Sequence, residues 1–103
     1  MNNKKLITII SFAVLIFILA IFLKKNRWYR EADVAKHSNA NSCWMIINGN
    51  VYDVTSLINS HTGGEKAILD ICGKDGSDIF NSRHGNESDP KTELENYKIG
   101  IFH

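Results

Sequence analysis

From Leu6 to Leu23 the chain runs 18 residues without a charge, and Thr8 and Ser11 are the polar interruptions. As a helix this run is about 27 Å long, close to the thickness of a bilayer's hydrocarbon core. So apolar a first quarter does not belong to the core of the small domain that 103 residues can build. Asn2, Asn3, Lys4 and Lys5 precede the run, and Lys24, Lys25, Arg27 and Arg30 follow it with Trp28 and Tyr29, residue types that settle at headgroup depth. A cleaved signal peptide would have a shorter apolar centre and a small-x-small site, whereas this exit reads Ala20-Ile-Phe-Leu-Lys-Lys25. The reading is a single-pass membrane segment over 1–25, a basic juxtamembrane linker over 26–30 and one folded domain over 31–103. Four basic residues downstream against two upstream bias the domain weakly toward the cytoplasmic side and leave the side undecided.

The net charge of +1 hides a segregation. From Glu31 onward six basic residues face all eleven acidic ones, a net −5. An acidic domain disfavours nucleic-acid binding and suits electrostatic steering onto basic partner proteins, although plain solubility would use the same charges. Cys43 and Cys72 lie far apart in apolar runs, with no Cys-x-x-Cys, and read as two buried packing residues.

Two apolar segments, Cys43 to Ile47 and Val51 to Val54, flank Asn48, Gly49 and Asn50 and predict a hairpin. Apolar side chains at every position from Trp44 to Ile47 predict a strand covered on both faces. Thr55 is placed to cap a short helical turn carrying Leu57 and Ile58 toward His61. A helix is expected over Glu65 to Cys72, stopped by Gly73, and another opens at Gly76–Ser77 and sets Phe80 and His84 one turn apart. Pro90 is expected just ahead of a last helix with Leu94 and Tyr97, before a strand around Ile99 to Phe102.

His61 and His84 each fall at the edge of a short helix, with apolar helical faces between them, which suggests a pocket for a flat apolar cofactor. Two imidazoles filling both axial positions of a haem iron leave no vacancy for oxygen and favour one-electron transfer. Gly63 and Gly64 would let the backbone pass close to the porphyrin edge, and Leu57, Ile68 and Phe80 are the expected walls. Two histidines 23 positions apart are, by spacing alone, more often surface or core residues than ligands.

Beyond spacing, the stretch from about Glu31 to Phe102 resembles the cytochrome b5 haem-binding domain over nearly its whole length. Asp33 to His37 resemble the family's opening segment, and Cys43 to Ile47 with Val51 to Thr55 its Trp strand and hairpin. His61-Thr-Gly-Gly-Glu65 stands where the family has His-Pro-Gly-Gly, His84 takes the second ligand position, and Tyr97 to Gly100 resemble the closing strand. The resemblance implies an α+β domain, a small mixed sheet with two helix pairs around one haem b, ligated by His61 and His84. It also implies an electron carrier between a reductase donor and an oxidase or desaturase-type acceptor, not a catalyst alone. Thr62 departs from the family's proline, Gly85-Asn-Glu87 lacks the hydroxyl that often holds a propionate, and the anchor precedes the domain. His37 and His103 have no ligand role in this match and read as exposed.

Three rival readings stand beside this one. A binding module resembling the membrane-associated progesterone receptor relatives shares the order of anchor and domain but ligates haem through tyrosine, against which both histidines stand. Zinc held by Cys43, His61, Cys72 and His84 has suitable ligand types at unfamiliar intervals. An enzyme finds no Gly-x-Ser-x-Gly, Walker loop or Gly-x-Gly-x-x-Gly. Asp70, Asp75 and Asp78 read as capping and solvating residues.

Overall fold

The computed structural model describes residues 2–103, the side chains of Lys24 and Lys25 excepted. Helix α1 (Asn3–Lys25) takes up the whole apolar run. Asn2 caps it by accepting from the Lys5 N–H at 3.0 Å, and Asn26 closes it by donating from backbone and side chain to the Phe22 carbonyl. Its apolar side chains stay exposed to the surroundings of the chain along their full length. In water such a surface has no partner, whereas in lipid a helix satisfies its own backbone.

Strand β1 (Arg27–Tyr29) follows after Asn26 and pairs in parallel with the last strand, Arg27 opposite Gly100 and Tyr29 opposite Phe102. The basic segment expected to be a linker is therefore the edge of the sheet. A side chain on Gly100 would strike the Arg27 carbonyl and the Tyr29 ring, so glycine is what allows this edge to close. Helix α2 (Glu31–Ala35) begins where the Asp33 carboxylate accepts from the Arg30 N–H at 2.9 Å.

The rest of the sheet is built on β3 (Ser42–Ile47), which pairs with β2 (Ser38–Asn39) and β4 (Asn50–Asp53) antiparallel and with β5 (Lys74–Asp75) in parallel. Strand β6 (Lys98–Phe102) lies between β4 and β1. The β3–β4 turn uses two residues with left-handed backbone, Asn48 (φ 50°) and Gly49 (φ 82°), and Asn50 already belongs to β4. This is the type I′ chemistry that matches strand twist.

A 3-10 turn (Thr55–Ser60), α3 (Glu65–Leu69), α4 (Ser77–His84) and α5 (Ser88–Glu95) stand on one face of the sheet. Thr55 does not cap the turn through its side chain. Its hydroxyl donates to Asp53 at 2.6 Å and accepts from the Cys43 N–H at 2.9 Å, so it stitches the turn to β3 instead. Helix α3 stops at Leu69, short of Cys72, and Gly73 (φ 79°) turns the chain into β5. Pro90 sits inside the first turn of α5, where the backbone N–H it lacks would have had no helical partner.

As expected for a strand covered on both sides, β3 splits its side chains between two cores. Cys43, Met45 and Ile47 join Tyr52, Val54, Leu57, Ile58, Ile68, Ile71 and Leu94 beneath the helices. Ile46 joins Val34 and Val51 on the opposite face, flanked by Tyr29, Trp44 and Phe102. The cysteines correct the sequence reading. Cys43 and Cys72 are both buried, but as a disulfide that ties β3 to the segment after α3, with Cα atoms 4.8 Å apart. His37 is also not simply exposed: it is half-buried, stacks on Trp44 with ring centres 3.6 Å apart and meets the Ser42 hydroxyl at 2.6 Å. His103 is exposed, edge-on to Trp28.

Candidate functional site

A cavity opens between the two helix pairs, with the 3-10 turn and α3 on one side and α4 and α5 on the other. Met45, Ile47 and Val54 form its floor, a direct product of strand alternation, since these residues point to the face that carries the helices. Leu57, Ile68 and Phe80, named as walls from the sequence, line it together with Ile71 and Leu94. His61 and His84 face each other across it with ring centres 6.4 Å apart and planes at 89°.

His61 follows the 3-10 turn in extended conformation (φ −69°, ψ 120°), which carries its ring out over the cavity. Its Nδ1 meets the Gly64 carbonyl at 3.1 Å. Nδ1 as donor to that carbonyl leaves Nε2 as the free lone pair, the usual arrangement of a metal-binding histidine. Both glycines of the loop are explained by the histidine and by the backbone. A Cβ on Gly63 would come within 2.7 Å of His61 Cε1, and Gly64 has φ +93°. Gly63 thus packs against the His61 ring, and Gly64 supplies the positive φ of the turn. Across the cavity, His84 ends α4 one turn after Phe80, whose ring centre lies 5.4 Å from its own.

The spacing tests the donor set. One metal held between two such nitrogens, at about 2 Å each, in five-membered rings whose nitrogens lie about 1.1 Å from the ring centre, would put the ring centres about 6.2 Å apart. The 6.4 Å found here fits an iron held between the two imidazoles. A tetrahedral zinc set with Cys43 and Cys72 does not fit, because the disulfide consumes both thiolates.

Residues 30–103 match the family model described as "Cytochrome b5-like Heme/Steroid binding domain". The chain belongs to the cytochrome b5 family. It is 45% identical over 69 residues to a cytochrome b5 of Borago officinalis, which covers 67% of this chain and 52% of that protein. It is 38% identical over 74 residues to the Delta(5) fatty acid desaturase A of Dictyostelium discoideum, 72% of this chain but 16% of the desaturase. Among solved structures, the cytochrome b558 of Ectothiorhodospira vacuolata, described as a prokaryotic homologue of cytochrome b5, superposes with a TM-score of 0.65 at 29% identity, covering 74% of this chain and 98% of that one. The chain thus spans about half the length of the cytochromes b5 it matches, and nearly all of the solved b558 domain. The cytochrome b5 fold, α+β with a mixed sheet under two helix pairs, is the one expected from the sequence, and it is a haem-binding domain.

Several features of the cavity were out of reach of sequence reasoning. Arg83, Pro90 and Glu93 join the lining from α4 and α5, and nothing in their spacing marks them. Met45 and Ile47 could be placed on one face of β3, but which face carried the cavity depended on where the helices packed. On the β4 side of the core, burial pushes the Tyr52 phenol above its ordinary value, opposed by the Asn50 side chain and aided by the Glu95 charge.

Proposed function

We propose that this chain is a membrane-anchored carrier of single electrons, with one haem b held between His61 and His84. The observation that supports it most is the pair of imidazoles 6.4 Å apart across an apolar cavity, one of them already oriented through Nδ1. Haem iron in that position supplies a one-electron couple, and two protein ligands leave it no site for oxygen. The chain's own residues do the rest. Leu57, Ile68 and Phe80 exclude water from the macrocycle, which sharpens every electrostatic influence on the iron. Gly63 and Gly64 keep the His61 loop compact enough for its ring to stay aligned. The acidic surface of the domain steers basic redox partners, a reductase as donor and an oxidase or desaturase-type acceptor, and the fused desaturase among its relatives is in keeping with the latter.

Helix α1 serves as a single-pass anchor in lipid, continued at once into β1 with Asn26 between them. The Cys43–Cys72 disulfide favours a domain outside the reducing cytoplasm. The disulfide outweighs the small difference in flanking charge, because a flank biases insertion whereas a thiol pair persists as a disulfide only where reductant is scarce.

The test is the visible spectrum of the haem-reconstituted protein. Wild type is expected to show a low-spin Soret band and, after dithionite, a sharp α band. His61→Ala and His84→Ala are each expected to abolish that low-spin spectrum, and His37→Ala to leave it intact. Equal loss in all three variants would refute the ligand assignment.

A further inference from the structure

The two candidate ligands are not oriented alike. His61 Nδ1 has a neutral backbone carbonyl at 3.1 Å. His84 Nδ1 is buried and has no hydrogen-bond partner among the described residues. A buried ring N–H left unpaired costs about 1–3 kcal/mol, so a partner within reach is expected to take it up. The group within reach is the Glu87 carboxylate, whose Oε1 lies 3.7 Å from that nitrogen.

The backbone holds Glu87 in place for this. Its N–H donates to the His84 carbonyl at 3.0 Å, closing the turn between α4 and α5, and its own extended backbone (φ −108°, ψ 132°) forms the cap of α5. Lys91, one turn along α5, donates to the Gly85 carbonyl at 2.8 Å. The Glu87 side chain is 60% exposed and therefore free to rotate, and less than 1 Å of movement brings Oε1 into hydrogen-bond range of Nδ1.

We propose that Glu87 is a positioning residue for His84: its carboxylate accepts the Nδ1–H hydrogen bond, fixes the ring with Nε2 toward the cavity and makes this ligand the more electron-donating of the two. This rests on the bis-histidine reading above. A carboxylate behind a ligating imidazole raises its basicity, which stabilises ferric iron over ferrous and lowers the reduction potential. The asymmetry gives the two axial ligands different jobs, His61 held by a loop carbonyl and His84 tuned by a charge at the solvent edge.

The experiment uses the full-length haem-loaded protein in detergent, its spectrum recorded before its potential. Glu87→Gln keeps the side chain's shape and an acceptor oxygen while removing the charge. It is expected to stay low spin and to lose about threefold to tenfold of the preference for ferric over ferrous, a rise of about 28 to 59 mV for one electron. Asp89→Asn removes the same charge from the first turn of α5, outside the cavity lining, and is expected to shift the potential much less. Low-spin haem with an unchanged potential in Glu87→Gln, or equal shifts in the two variants, would overturn the role assigned to Glu87 and leave the haem reading standing. A wild-type protein without a low-spin spectrum would overturn the haem reading itself.

Discussion

Reduction of the Cys43–Cys72 bond, with no change of sequence, isolates the contribution of the crosslink. The bond closes a loop of 29 residues. Chain-entropy reasoning gives a loop of that length about 3.6 kcal/mol, within the usual 2–4 kcal/mol for a native disulfide. For a domain of this size unfolding in urea with an m-value of about 1 kcal/mol/M, that corresponds to a fall in the midpoint of about 2–4 M. Residues 26–103 contain both cores and are the material of choice, followed by far-ultraviolet circular dichroism with and without a phosphine reductant. The bond also joins the strand under the cavity to the end of the wall that carries Ile68 and Ile71, so the reduced form is expected to release haem faster. Thiol counting on full-length protein taken from membranes under an alkylating agent completes the test. Two free thiols there, or coincident urea curves for the two redox forms, would refute both the crosslink and the sidedness argued from it.

Two further substitutions separate the site from the scaffold. Gly63→Ala places a methyl within 2.7 Å of His61 Cε1 and is expected to weaken haem retention, read as faster transfer of haem to apomyoglobin, while the fold survives. Ile46→Ala removes a side chain that is 2% exposed from the core on the other face of the sheet, and is expected to cost about 2–5 kcal/mol in urea unfolding with the Soret band unchanged.

The sequence by itself determined whatever depends on neighbours along the chain. Eighteen uncharged residues make an apolar helix in any context, and Asn48-Gly49 supplies the left-handed backbone of a two-residue hairpin whatever packs against it. The order of the histidine, glycine and tryptophan blocks was enough to identify the family and both candidate ligands. What only the tertiary structure decided involves partners distant in sequence. Cys43 and Cys72 read singly as packing residues, because nothing local tells a buried thiol that a second one will be brought beside it. Residues 26–30 read as a linker because three residues of strand carry too little pattern, and Arg27–Tyr29 becomes a strand only when β6 offers its free edge 73 residues later. Thr55 had the right chemistry for a cap and found a better acceptor and donor in Asp53 and Cys43 once β3 and β4 were paired. The unpaired nitrogen of His84 and the carboxylate beside it belong to the same class, since a turn between two helices, closed by a backbone hydrogen bond, sets the distance between them.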